Sequence, residues 1–379
     1  MKKKFLSILL ALTLALTLIP TAALADTTED ATPGEQSGQS DTVPSTEDKG
    51  VTTEEELRNA VKQGGIVTLG RDIELSDTLT ITQEVEINGQ GNKITGSVAS
   101  GKSFISVQTD GTFTMKNCVI EPSGNVSPNG FICIAAKGVV KITGCTFGSA
   151  NAQGTYIYNG LEFSQDVNYP LADGSTISNN IFYGAAFRHN GINIYRIAEN
   201  ATIDIKNNNF VDLNWDTSNA IRLSNYSKAT ATVNMDRNSY SEHGTDKPDS
   251  RDWAGFFLFQ NAGGGSGKNL TINVTNMNYH GTTGQLYVLY QNITENTIPT
   301  VIGDNSVKDL KAVVYGDSNT IAPAFVAETG SKYYKTMAEA ILAGDTGEYC
   351  YLRCSCNCYK KGDSEPKRTD HQQYDKYLE

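Results

Sequence analysis

The apolar residues of this chain fall in short alternating runs, and the runs repeat. The segments SFISV, GFICI, GLEFS, GINIY, AIRLS, GFFLF and QLYVL, starting near residues 103, 130, 160, 191, 220, 255 and 285, align with one another. A second series follows them at Met115, Ile142, Ile177, Ile205, Met235 and Val274. Cys118, Cys145, Asn180, Asn208, Asn238 and Met277 come three residues later, and Ile120, Phe147, Phe182, Phe210, Tyr240 and Tyr279 two further on. Period-two alternation marks strands. Like residues recurring every 27 to 39 positions mark a solenoid, so the pattern predicts a β-solenoid.

The alignment assigns side chains to faces. Phe104, Phe131, Leu161, Ile192, Ile221, Phe256 and Leu286 are expected inside. So are Ser106, Cys133, Phe163, Ile194, Leu223, Leu258 and Val288. Two outward rows follow from the same parity. One runs Ile105, Ile132, Glu162, Asn193, Arg222, Phe257 and Tyr287; the other runs Val107, Ile134, Ser164, Tyr195, Ser224, Phe259 and Leu289.

Before the repeats, TTEEELRNAVKQGG (52–65) reads as a short amphipathic helix, with Thr52 or Thr53 as cap and Gly64-Gly65 as stop. Leu57, Ala60 and Val61 form its apolar stripe, and strands are expected at 66–69, 73–75, 79–81 and 85–87. Such a helix covers the open end of the first rung. The helix, the run IVTLGRDIELSDTLTI, the turn in VEINGQGNKITG and the aligned Asn180, Asn208 and Asn238 together resemble right-handed parallel β-helix proteins of the pectate-lyase type. The resemblance covers about residues 51–325 and implies an all-β fold, a right-handed parallel β-helix with an N-terminal capping helix. It implies an asparagine ladder in the tight turn and leaves function open, because this fold carries lyases, hydrolases, adhesins and inert stalks.

The flanks differ from this body. Lys2–Lys4, the apolar run 5–19 and Ala23-Leu24-Ala25 read as a secretory signal over residues 1–25. Residues 26–50 read as a disordered acidic linker. No other stretch is long and apolar enough to span a bilayer. Removing the three signal lysines takes the formal charge from −11 to about −14, which argues against nucleic acid or an anionic membrane as partner. The seven cysteines are not spaced as a disulfide scaffold. Cys118 and Cys145 share one register on successive rungs, as two stacked thiols or as a bridge. Residues 326–379 resemble the start of a second repeat module of Gram-positive surface proteins. They end in a tail whose Cys350, Cys354, Cys356 and Cys358 match no usual zinc spacing.

The chemistry concentrates in the loops that feed the GINIY-type strands. Both tryptophans, Trp215 and Trp253, lie there, with His189, His243, His280, Arg188, Arg251, Asp216 and Asp252. Those loops lead into the outward row Glu162, Asn193 and Arg222 and its aromatic flank Tyr195, Phe257, Phe259 and Tyr287. Aromatic faces beside hydrogen-bonding groups suit pyranose rings. An apolar strip covered by other segments is the plainer alternative.

In pectate-lyase-like enzymes this face is the substrate cleft. The resemblance makes Arg222 a candidate base, with Glu162, Asp216 and His189 as further catalytic candidates. The enzymes' WiDH-like motif and paired-Asp motifs are missing, as is an Asp cluster for the calcium an enzyme of this type would need. No metal site and no cofactor are expected, calcium excepted if the chain is an enzyme. The expected function is that of an exported, surface-associated protein binding a polysaccharide or another cell-surface component. A lyase or glycosidase acting on an acidic polymer is the first alternative, and a structural spacer the second.

Overall fold

The computed structural model describes residues 50–99, 102–122, 131–151, 157–184, 187–213, 219–242, 255–260, 267–281, 284–290, 297–315, 320–325, 327–329, 331–335, 343, 350–352 and 372–374. The expected signal segment, nearly all of the linker, and Cys354, Cys356 and Cys358 lie outside these residues.

A single helix opens the described chain. Helix α1 (Glu54–Gln63) begins at the capping box that TTEE encodes: the Thr53 hydroxyl accepts from Glu56 N–H while the Glu56 carboxylate takes the Thr53 N–H. Its Leu57 and Val61 enter the core, with Ala60 packed against it. Arg58 ties the helix to the first rung, donating to the carbonyls of Thr78 at 2.9 Å and Asp77 at 2.7 Å.

Beyond α1 the chain coils through three sheets in turn. Sheet I collects Gly65–Thr68, Val85–Asn88, Phe113–Lys116, Val140–Thr143, Thr176–Ser178, Ala201–Lys206, Ala231–Asp236, Leu270–Thr275 and Thr300–Gly303. Sheet II stacks eight short strands, from Ile73–Leu75 to Asn278–His280. Sheet III stacks Leu79–Ile81, Ile105–Thr109, Ile132–Ala136, Ile157–Phe163, Phe187–Ile194, Asn219–Leu223, Phe257–Gln260, Gln285–Tyr290 and Lys311–Tyr315. Each of these strands pairs in parallel with its counterpart one coil away, which makes the fold a β-solenoid, as the repeats predict. Antiparallel strands then close the stack. Lys332–Tyr334 pairs with Thr300–Gly303, Thr320–Pro323 with Lys311–Tyr315, and Cys350–Leu352 with Ala327–Thr329.

Two internal columns carry the stack. In sheet II, Ile120, Phe147, Phe182, Phe210, Tyr240 and Tyr279 share one register. Phe182 stacks face to face with Phe147 at 4.7 Å and with Phe210 at 5.0 Å. At the turn from sheet I to sheet II, Asn117, Asn179, Asn207, Arg237 and Asn276 adopt the left-handed conformation, with φ between 52° and 58°. The next residue points inward there. Asn180, Asn208 and Asn238 form the expected ladder: Asn180 Nδ2 donates to Asn208 Oδ1 at 3.0 Å, and Asn208 Nδ2 to Asn238 Oδ1 at 3.1 Å. Each amide also donates to a backbone carbonyl, of Ile142, Ile177 and Ile205 respectively, so these buried groups are satisfied.

Sheet III departs from the expected register at several rungs. Ile105 and Ile132, not Phe104 and Phe131, pair in line with Leu161, Ile192 and Ile221, and Phe257 and Tyr287 continue that inward column. Ser106, Cys133, Leu258 and Val288 therefore take the outward parity. Phe104, Phe131, Phe256 and Leu286, each one residue before that column, are buried as well. In the middle rungs that position holds Gly160, Gly191 and Ala220. A Cβ on Gly191 would stand 2.9 Å from the Phe210 ring, so the small residues make room for the phenylalanine stack.

Candidate functional site

The outward face of sheet III carries one row in strict register: Cys133, Glu162, Asn193, Arg222, Leu258, Val288 and Val313. Its neighbours along the strands, Leu161, Phe163, Ile192, Ile194, Ile221 and Leu223, face the core, which fixes the row's outward parity. The row changes character along the stack. Leu258, Val288 and Val313 form a separate apolar cluster with Tyr290. The rungs before them are polar: Asn193 is buried, and Cys133, Glu162 and Arg222 are half-buried.

Asn193 is fully buried, and neither its Oδ1 nor its Nδ2 has a partner among the described residues. The Arg222 Nε and the Ser224 hydroxyl are likewise buried without partners. The Arg222 guanidinium is held from two sides. Its Nη2 donates to Gln260 Oε1, and its carbon lies 5.4 Å from the centre of the Tyr195 ring. The contacts continue: the Tyr195 ring lies 5.7 Å from that of Tyr226, and the Arg196 guanidinium carbon lies 5.7 Å from the Tyr226 ring centre.

Glu162 accepts from Asn159 Nδ2 at 2.8 Å. Burial raises its carboxyl above the ordinary carboxylate value, opposed by that hydrogen bond and by the positive charge of Arg222. Burial, and then the Glu162 charge, pushes the neighbouring Cys133 thiol up to about 11, so it is a protonated thiol rather than a nucleophile, and its sulfur accepts from the Ser103 hydroxyl. Asn159 belongs to a second asparagine column, Asn159, Asn190 and Asn219, at the entry to the same strands. Asn190 Nδ2 donates to Asn159 Oδ1 at 2.9 Å. This column holds the backbone edge from which Glu162, Asn193 and Arg222 project.

Four of the candidates named from the sequence thus meet on one face: Glu162, Asn193, Tyr195 and Arg222. Arg188 and His189 lie on the backbone of Phe187–Ile194, the strand that carries Asn193. Trp215, Asp216, His243, Arg251, Asp252 and Trp253 fall outside the described residues. Phe257, Phe259 and Tyr287 are corrected: all three are buried in the core, where Phe257 stacks on Tyr287 at 5.3 Å. A one-residue difference in register turns every side chain of a strand to the other face.

Sequence reasoning missed Asn159, Asn190, Asn219, Gln260 and Tyr226. The asparagines were readable in YNGLEF, HNGINI and SNAIRL, directly before the aligned segments. Gln260 and Tyr226 carry no repeat signal. Among the described residues no three His, Cys, Asp or Glu side chains converge as metal ligands.

Comparison with known proteins adds little to this geometry. No protein-family model matches the chain, and no curated protein does. Among solved structures it is similar to "L. reuteri 53608 SRRP", at 14% identity over 67% of this chain and 98% of that one, with a TM-score of 0.30. A likeness at that TM-score carries no argument about ligand or activity.

Proposed function

We propose that the chain is a surface-associated β-helix protein that binds a glycan along the outward face of sheet III. The observation that carries this reading is the row Glu162, Asn193 and Arg222, in which a complete amide and a guanidinium Nε are buried without partners. Buried polar groups are ordinarily satisfied, and each one left bare costs roughly 1–3 kcal/mol. A stack that meets this cost on adjacent rungs keeps those groups for something else. A glycan fits, because its hydroxyls both donate and accept and so can satisfy an amide and a guanidinium N–H together. Export to the cell surface is part of this reading through the signal-like N-terminus. No helix among the described residues is long and apolar enough to cross a membrane.

One observation favours a second reading, that of a polysaccharide lyase or glycosidase. Glu162 has a carboxyl raised by burial on the same face as Arg222, and a raised carboxyl is what a general acid needs. A glycan panel tests both readings, scored for retention on the protein and for released reducing or unsaturated ends. Retention without release supports binding, turnover supports the enzyme, and neither result on any glycan leaves the spacer.

A further inference from the structure

The column that carries the asparagine ladder changes chemistry toward the N-terminus. Beyond Asn180 its next two positions are Cys145 and Cys118. Cys145 belongs to the ladder's register, since its N–H donates to Asn180 Oδ1 at 2.9 Å. It stands directly over Cys118. Thr146 pairs with Val119, and Thr146 N–H donates to the Cys118 carbonyl at 2.9 Å. Neighbours on parallel strands lie about 4.8 Å apart, inside the roughly 4.4–6.8 Å between Cα atoms that a disulfide takes.

Both sulfurs project into the same interior space. Cys118 Sγ lies 3.4 Å from the Lys116 carbonyl, and Cys145 Sγ lies 3.5 Å from that of Thr143 and 3.8 Å from that of Met115. Each sulfur's hydrogen bonds go to backbone carbonyls. Gly89 leaves the room that Cys118 occupies, because a Cβ there would stand 2.7 Å from Cys118 Sγ. Each thiol is a free, buried cysteine in this structure. Thiols make weak hydrogen bonds, so these two rungs lack the amide-to-amide link that ties Asn180, Asn208 and Asn238.

We propose that Cys118 and Cys145 are a disulfide site, and that the bond extends the ladder covalently across these two rungs when the chain folds in an oxidising compartment. The oxidant is a small-molecule disulfide. One cysteine thiolate attacks a sulfur of the donor and releases one thiol. The second cysteine thiolate then displaces the other half of the donor from the mixed disulfide. One donor disulfide becomes two thiols, which take up the protons of the two cysteines, and one S–S bond forms. With both side chains 0–1% exposed, the donor reaches them before the rungs close, and the folded chain afterwards shields the bond from reductant. The inference is independent of the ligand-binding reading.

The test uses the full chain, denatured, reduced, and refolded with glutathione and glutathione disulfide. Thiols are alkylated in denaturant, and peptides are mapped by mass spectrometry. The Cys118 and Cys145 peptides are expected as one linked species, with Cys133 alkylated. The oxidised protein should melt roughly 5–10 °C above its reduced form, a difference that disappears in the Cys118→Ala/Cys145→Ala variant. Recovery of both as alkylated thiols overturns the proposal, as does either one joined to glutathione or to another cysteine. A linked protein that melts no higher than its reduced form overturns the stabilising role.

Discussion

Replacing Asn208 by leucine tests the ladder at its centre. Leucine has the same number of side-chain heavy atoms and branches at the same carbon, so an argument from hydrophobicity alone expects gain or indifference. The bonding pattern expects loss. Asn208 Oδ1 accepts from Asn180 N at 3.1 Å and from Asn180 Nδ2 at 3.0 Å. Its Nδ2 donates to Ile177 O at 2.9 Å and to Asn238 Oδ1 at 3.1 Å. Leucine leaves the Asn180 backbone N–H and one of the two Asn180 Nδ2 hydrogens bare in the core, the other keeping its bond to the Ile142 carbonyl, and leaves the Ile177 carbonyl short of a partner. Two buried donors at about 1–3 kcal/mol each amount to about 2–6 kcal/mol. Burying the added apolar surface returns about 1–2 kcal/mol. The net expectation is a loss of about 1–4 kcal/mol, read as a lower urea midpoint with an unchanged slope. Asn208→Asp should also be harmful, since its second oxygen would face the Ile177 carbonyl and Asn238 Oδ1. A leucine variant within about 0.5 kcal/mol of the parent would refute the ladder as a source of stability.

The remaining predictions concern the core and the face. Phe182→Ala removes the middle ring of the stack and should cost about 3–5 kcal/mol in the same unfolding assay. Gly191→Ala should destabilise by about 1–3 kcal/mol, because its methyl would press on the Phe210 ring and on the Ala220 carbonyl 3.0 Å away. Phe257→Ala should lower stability about as much as Phe182→Ala while leaving glycan affinity unchanged, since the ring faces the core. Glu162 carries a pH signature. Its folded-state carboxyl is raised by burial, so ionisation opposes folding, and stability should fall as pH rises from the ordinary carboxylate value through the raised one. Glu162→Gln should flatten that part of the urea-midpoint profile, and an unchanged slope there would contradict the burial argument.

The sequence was most legible where one reading of parity was available. The TTEE cap, the rings at Phe147, Phe182 and Phe210, and the Asn180, Asn208 and Asn238 turn each repeat one residue type at one offset, and all stand where expected. In the middle rungs Gly160, Gly191 and Ala220 stand directly before Leu161, Ile192 and Ile221, so the first large apolar residue had to be the inward one. Glu162, Asn193 and Arg222 were therefore assigned to the correct face. The FI, FF and LY doublets at 104–105, 131–132, 256–257 and 286–287 offer two adjacent large side chains, and alternation alone does not choose between them. Both are buried, the second in the inward column, so the outward row is occupied by Leu258 and Val288. The unpartnered state of Asn193 was not legible either, because burial of an outward residue depends on what packs over it and not on strand period.

The central claim is that the polar row of sheet III is the ligand site. Calorimetric titration of the best-retained glycan into the full chain tests it most directly, comparing the parent with Arg222→Ala, Asn193→Ala and Thr202→Ala. Thr202 lies exposed on sheet I and serves as the control face. The account predicts that the first two variants stay folded and lose about tenfold or more in affinity, about 1.4 kcal/mol, while Thr202→Ala binds as the parent does. Equal affinity in all four proteins would contradict it.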